Sequence, residues 1–489
     1  MTFVNCSCEF VNVAVLSLLT FAWPCAAEAQ AGRESFLEPT PSSLAPVECT
    51  IDPAVKSSLA NPANWDKELS NTVAQARAAG RSVVVHLAPG DYVLRYNLTL
   101  AESLSGAPGC PVVFRGPADG SARILGAPLV KPEQLVGITS KDPNYLRFPQ
   151  RARGSIRTVS VADANAYSLH DNVYKATGNE NRLPTHEALF LGGRFQDLAR
   201  WPNRGADGGY GWGHFPSVAS VSGSRAVCVL PEEGRYSIWK DLANPTNGVQ
   251  FHTALPFTWN DEFHLVKSFD LAKRQVSFVR EFSQGQYIKV GIDNQCQRFV
   301  AVNVAEELDA PGEWWLDHAS KTLYYYPEST ASDGTEELAF VSYKDTLIRF
   351  ARVRNDAAQT PYDFAHDIRF ENVTFAYQNK IGTFYPQNAR IGFENCRFHS
   401  FLRETEVKGT DIVFRGCAFE HFGGSVLELR GGDEIAFGRS GIRSRTAPSG
   451  TSSTSATPRP RPSSPGRTAS RSGTANSPTR RTTAWPCGA

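Results

Sequence analysis

The tetrapeptides Glu406-Val407-Lys408-Gly409 and Glu428-Leu429-Arg430-Gly431 repeat one pattern of acid, apolar residue, base and glycine at an interval of 22 residues. In an extended strand, alternate side chains point to opposite faces, so Val407 and Leu429 would turn one way and the four charged residues the other. If 22 residues make one circuit of the backbone, the second set stacks on the first and four charges share a patch. Two chemistries suit it. Carboxylates stacked about 5 Å apart approach the spacing of a retaining pair, in which one is the nucleophile and the other, raised in pKa by the like charge, is the acid. Glu406 and Glu428 would take those roles. Alternatively, a lysine of lowered pKa removes a proton beside a sugar carboxylate while an arginine neutralises the developing charge. Lys408 is then the base and Arg430 the stabiliser, because an arginine stays protonated. A plain reading stands beside both: alternating Glu and Lys/Arg is how a solvated β face pairs its charges, each pair being worth about 0.2–1 kcal/mol. Tyr385 and Gln387 fall in the corresponding columns one circuit earlier and are candidate substrate contacts, joined by His421 and Asp433 near turns. His399 and Glu420 are weaker candidates of the same kind, expected at the surface.

The elements that must position these residues announce themselves by repetition. Ile368, Ile391, Ile412 and Ile435 are each followed two residues later by Phe370, Phe393, Phe414 and Phe437, at intervals of 23, 21 and 23 residues. A period of 20 to 30 in β-type sequence signals a solenoid. Asn372, Asn395 and Gly416 follow the Phe positions by two, and Asn and Gly tolerate the left-handed backbone needed to bend a strand sharply. Beyond the corner, Val373, Cys396 and Cys417 and then Phe375, Phe398 and Phe419 recur at the two-residue spacing that sends side chains inward. Stacking near-identical coils buries a hydrophobic face that one coil alone leaves open. Cys396 and Cys417 are expected one above the other; their Cα spacing admits a disulfide, but parallel side-chain directions favour two buried thiols.

Composition and the remaining segments set the limits. The chain has 41% hydrophobic residues, 20% charged residues and a net charge of +1 over 489 residues. Residues 439–489 hold nine Arg, no Lys and no acid; the rest therefore carries 41 basic against 49 acidic residues, a balance of −8 that offers no general nucleic-acid surface. Val11 to Trp23 is apolar and precedes Ala27-Glu28-Ala29, a small-x-small cleavage pattern, so residues 1–29 read as a signal peptide and the protein as secreted or periplasmic. A buried segment or a displaced start is the alternative, as no Lys or Arg precedes the apolar run. No other segment is long enough to span a membrane. Residues 30–48 read as a linker. Asp66 to Ala79 places Leu69, Val73 and Ala76 on one helical face, with Gly80 as the stop. Residues 49–127 form this helix and the first coils, and 128–341, holding six of the nine Trp, form an inserted β-rich domain whose aromatics are mainly core or interface. Residues 342–438 resume the coils. The seven cysteines outside the leader lack metal-site spacing, so no metal or other cofactor is expected, with calcium left open. The Arg/Ser/Pro tail 439–489 has no apolar periodicity and is expected to be disordered. Arg without Lys amid Ser, Thr, Pro, Ala and Gly is also the product of GC-rich DNA read out of frame, which would replace further coils.

Beside these coils, "LAPGDYVL", "CPVVFRGPADGSARILGA", "EALFLGGRFQDLARWPNRG", "ELDAPGEWWLDHASKTLYYYP" and "LRGGDE" resemble secreted bacterial right-handed parallel β-helix proteins active on polysaccharides. Among these are glycoside hydrolases of the fucosidase/xylanase type, in which a smaller β domain interrupts the early coils; more distantly, Lys408 and Arg430 resemble the pair one coil apart in β-helix alginate and chondroitin lyases. The resemblance spans about Val47 to Phe437. It implies an all-β chain with a capping helix before the first coil, and a monomer whose partner is a polysaccharide lying along the outer face. In the hydrolases the catalytic acids are expected in coils later than these. A non-catalytic carbohydrate-binding or surface protein on the same coils is the competing reading.

Overall fold

The computed structural model describes residues 41–446, leaving out 56, 95–96, 162–186, 206, 208, 243–247, 292–294, 329–335, 342–345, 355–361, 424 and 431–442. The expected signal peptide, most of the linker and Asp433 lie outside the described residues. So do Ile435 and Phe437, the fourth of the repeated markers.

Successive circuits of the chain pair in parallel on three faces. On the first face, Val47–Ile51, Val83–Leu87, Val112–Arg115, His366–Glu371, Ala389–Glu394 and the start of Thr410–Phe422 lie side by side. The register is the one the repeat predicts: Ile368 opposite Ile391 and Ile391 opposite Ile412, with Phe370, Phe393 and Phe414 alongside. The second face runs Gly90–Val93, Ala122–Leu125, Val373–Gln378, Arg397–Phe401 and the end of Thr410–Phe422. The third begins with Leu98–Leu100, Thr346–Phe350 and Lys380–Thr383.

Three corners recur in step. Asn372, Asn395 and Gly416 adopt φ of 56°, 52° and 64°, as their residue types suggest. Asp367, Arg390 and Asp411 turn the chain just before each Ile, and Tyr377, Ser400 and His421 turn it again five residues after the Asn/Gly corner, all at φ between 50° and 62°. These residues pay a left-handed penalty of about 1–2 kcal/mol each unless local hydrogen bonds offset it. At Gly416 the choice of glycine has a second cause, because a Cβ there would collide with Asn395 Oδ1 in the coil below.

Inside, the phenylalanines form continuous stacks. Phe114 and Phe370 lie 5.1 Å apart, Phe370 and Phe393 5.6 Å, and Phe393 and Phe414 4.8 Å, with interplanar angles of 20°, 8° and 10°. Phe375, Phe398 and Phe419 make a second stack at 5.0 and 5.1 Å. Such pairs contribute about 0.5–1.5 kcal/mol each beyond the area they bury. The helix, Trp65–Ala78, covers the open end with Leu69, Val73 and Ala76 buried as expected, and ends at Gly80, φ 65°. Its first residue, Trp65, completes the stack by lying 5.0 Å from Phe114 at 10°. Cys396 and Cys417 are buried free thiols.

The chain leaves the coils after Leu125 and rejoins them at Thr346. Between these points, a large antiparallel sheet built around Arg298–Val302, Gln250–Ala254 and Asp261–Asp270 has its own core of Phe215, Phe251, Phe278 and Phe299. A smaller sheet containing Ala188–Leu191 and Leu338–Val341 docks on the outside of the second face, where Ala188, Phe190 and Val341 meet Ala376, Tyr377 and Leu402. Of the aromatics expected in the interior, Trp239, Trp314 and Trp315 are buried, whereas Trp259 is 56% exposed.

Past the last full coil, Arg443–Thr446 pair in parallel with Val413 to Cys417, with Ser444 opposite Phe414. An open parallel edge offers main-chain donors and acceptors that any extended segment can satisfy, whatever its side chains. Among the described residues no helix is long and apolar enough to cross a membrane.

Trp65 seals the coil stack, so Trp65→Ala should destabilise the protein by about 3–5 kcal/mol, seen as a lowered urea midpoint with the transition slope retained.

Candidate functional site

The two charged tetrapeptides lie on neighbouring parallel strands. Thr405–Lys408 pairs with Leu427–Arg430 so that Glu406 faces Glu428 and Lys408 faces Arg430, a rung spacing of about 4.8 Å. Val407 is fully buried and Leu429 packs against the coil core, while the four charged side chains keep 27 to 57% of their exposure. Thr405 anchors the strand to the coil below, its buried hydroxyl accepting a hydrogen bond from the Ile381 N–H at 2.9 Å. The charges form one continuous chain. Lys408 Nζ lies 2.7 Å from Glu406 Oε2, Arg430 Nε 2.9 Å from Glu406 Oε1, and Arg430 Nη2 2.9 Å from Glu428 Oε1.

This arrangement alters the chemistry expected from stacked carboxylates. Glu406 and Glu428 do not face each other as a bare pair, because Arg430 bridges them and Lys408 holds the far oxygen of Glu406. The like-charge repulsion of stacked carboxylates is thus met by two cations. The patch is electrically balanced, and it can present donors from Arg430 and Lys408 and acceptors from both carboxylates to a polar chain.

The other sequence candidates among the described residues do not join it. Lys380–Thr383 ends before Tyr385, and Tyr385 and Gln387 sit in the turn leading to Ala389–Glu394. The physical reason is unequal corners: Gly409 alone, at φ 128°, joins Lys408 to the next strand, whereas five residues fill that bend one coil below. The longer bend is pinned by buried Asn388, whose Oδ1 accepts from the Tyr385 N–H at 2.7 Å and whose Nδ2 donates to the Ala365 carbonyl at 3.0 Å. His421 lies on the second face, at the far end of Thr410–Phe422, rather than beside Glu406. There it meets the inserted domain, for a Cβ on Gly193 would sit 3.1 Å from its Cδ2.

The same contact overturns the surface placement of His399. Leu191 and Arg194 pair across a two-residue turn, Gly192-Gly193, with φ of 52° and 81°, and this turn lies over the strand bearing His399. Ser400 Oγ donates to the Gly193 carbonyl at 2.8 Å, and His399 is buried against Tyr377. Glu420 is held by Arg397, with Nε 3.1 Å from its Oε2.

No family model and no curated protein matches this sequence. Among solved structures, a chain described as "Glycoside hydrolase" aligns with a TM-score of 0.54 and 16% identity, over 79% of this chain and 68% of that one. The two share a fold. At that identity the likeness transfers no residue role, so the chemistry rests on the geometry above.

Two charged groups of the structure were not singled out from sequence. Asp367, Arg390 and Asp411 occupy the position before each Ile, an alternating-sign column that the repeat does display. Arg390 Nε and Nη2 each lie 2.7 Å from the buried Asp367 carboxylate; burial opposes its ionisation, but His366 and Arg390 hold it below the ordinary range. In the inserted domain, "ELDAPGEWWLD" and the preceding Glu306 supply internal clasps. Trp239 Nε1 donates to Glu307 at 2.8 Å, and Arg147 joins Glu306 at 2.8 Å to Asp241 at 2.7 Å. Glu313 is pushed up to about 8 by burial, although the Asp309 and Ala310 N–H groups both reach it at 3.1 Å. Among the described residues no group of three His, Cys, Asp or Glu could hold a metal ion.

Burial, aided by the Arg397 charge and others, lowers His399 to about 3. The unfolded chain therefore takes up a proton that the folded chain refuses between about pH 6.5 and 3. Stability contributed by neutral His399 should be complete above the unfolded value and fall as pH drops below it. His399→Gln should flatten that part of the stability profile, measured by urea unfolding at a series of pH values.

Proposed function

We propose that this chain acts on polysaccharide as a glycoside hydrolase relative built on a right-handed parallel β-helix, with the sugar chain lying across the third face. The observation that carries the reading is the in-register pairing of Glu406 with Glu428 on an exposed face, within a fold shared with a glycoside hydrolase. Carboxylates one rung apart fall near the roughly 5 Å separation of retaining enzymes. For turnover, substrate must displace Arg430 from between them; one carboxylate then bonds to the anomeric carbon as the glycosidic C–O bond breaks, the other carboxyl gives its proton to the leaving oxygen, and water afterwards releases the sugar from the first. Secretion or periplasmic residence, with a monomeric protein, belongs to the same proposal.

A second reading has its own support. Arg430 stands directly over Lys408, so a uronate carboxylate bound by Arg430 would bring its neighbouring C–H toward the Lys408 amine. That pair would carry out β-elimination once substrate draws Glu406 away and the Lys408 ammonium has passed a proton to solvent: the neutral amine takes the C–H proton, the C–O bond to the neighbouring sugar breaks, and the leaving oxygen takes a proton from water.

Incubating the protein with neutral and uronic-acid polysaccharides separates the readings. New reducing ends lost in Glu428→Gln by at least about a hundredfold support hydrolysis, as expected for loss of a general acid or base. Unsaturated products lost in Lys408→Ala support elimination. Retention of a polysaccharide without turnover would mean that the coils bind sugar and do not cleave it.

A further inference from the structure

One group of aromatic side chains on the inserted domain is neither core nor interface. The strands Gln250–Ala254 and Asp261–Asp270 are joined by Leu255-Pro256-Phe257-Thr258-Trp259-Asn260, and this loop lifts Phe257 and Trp259 off the sheet. Their rings lie 5.0 Å apart and 6° from parallel. Phe257 thus backs one face of the indole and fixes its plane, while Trp259 remains 56% exposed. Tyr287, from the neighbouring Gly285–Tyr287 turn, contacts Phe257 at 5.7 Å and is 55% exposed.

The platform is held in place before anything binds. Asn260 is buried, its Nδ2 donating to the Leu255 carbonyl at 3.0 Å and its backbone N–H to the Phe257 carbonyl at 3.1 Å. Ser283 Oγ donates to Asn260 Oδ1 at 3.0 Å, and the Ser283 N–H reaches both Glu262 oxygens at 3.1 Å. These bonds tie the loop to the segment carrying Tyr287. Rings held this way lose little entropy on binding.

We propose that Trp259, backed by Phe257 and flanked by the Tyr287 ring tilted 55° to Phe257, forms a saccharide-binding platform distinct from the charged patch, taking the apolar C–H face of a sugar ring. The size of the surface selects the occupant. Aromatic side chains of this kind bury about 150–250 Å² each, so two or three supply less than the roughly 800 Å² per partner of a stable protein interface. A pyranose offers a matching patch of axial C–H groups, which pack on a π face, and equatorial hydroxyls, which need polar neighbours. Exposed Gln286 on the same turn as Tyr287, and exposed Lys289 two residues beyond it, provide them. The inference rests on the polysaccharide reading given above and extends it: a long chain would be held at the inserted domain as well as on the coils, which raises its effective concentration there.

The test uses the full chain in native gels containing arabinoxylan, fucoidan, alginate or chondroitin sulfate. Wild-type mobility should be retarded by at least one of these, and Trp259→Ala and Tyr287→Ala should each weaken that retardation by about tenfold, with Trp259→Phe losing less. Melting temperatures equal to wild type would show that the exposed positions were altered without unfolding. Retardation of both alanine variants equal to wild type would overturn the platform while leaving the polysaccharide reading intact. If no polysaccharide retards even the wild type, both fall together. A wild-type dimer by sedimentation that Trp259→Ala converts to monomer would assign the surface to a second copy instead, and also overturn the proposal.

Discussion

A parallel rung rises about 4.8 Å, and that distance constrains everything else in the coils. A flat ring lying face-on to its neighbour fills such a gap without a void. Phe370, Phe393 and Phe414 satisfy it in one column, and Phe375, Phe398 and Phe419 in the other. The columns stay vertical because the chain bends at equivalent places in each circuit. Three left-handed corners per coil do this, and they recur even where the residue is Arg390, Tyr377 or Ser400, which do not favour that conformation. Stacking outweighs the local preference.

The same stacking explains how a long excursion can be accommodated. The inserted domain departs at the end of one second-face strand and returns at the start of the next third-face strand. Val112 pairs with Ile368 and Phe114 with Phe370 as if the intervening chain did not exist. In exchange the insert covers the outside of the second face through Phe190, Gly193 and Val341, which is why His399 is dry there. The charged patch lies on the third face, which this contact leaves to solvent.

On that face the strands place charge with the same fidelity as they place phenylalanine inside. Glu406 over Glu428 would be unfavourable alone, and Lys408 over Arg430 likewise, since like charges directly opposite repel. Interleaving them gives each charge an opposite neighbour along its own strand or diagonally. A substrate that competes for Arg430 or Lys408 would then release a carboxylate, so the resting ion pairs and the proposed chemistry are two states of one network.

Much of this was legible from the residues in order. The Ile and Phe intervals report the coil length, Asn372, Asn395 and Gly416 mark a corner, Leu69, Val73 and Ala76 define the buried side of a helix, and the 22-residue interval places Glu406 over Glu428. All are local periodicities, and a period shows which way a side chain points. It does not show what covers that side chain. Phe114 joins a stack begun 256 residues later, Trp65 closes it, His399 disappears beneath a glycine turn from the insert, and Tyr385 and Gln387 fall out of line because one bend is longer than the next. Those outcomes depend on segments distant in the chain meeting in space, and only tertiary packing decides where they meet.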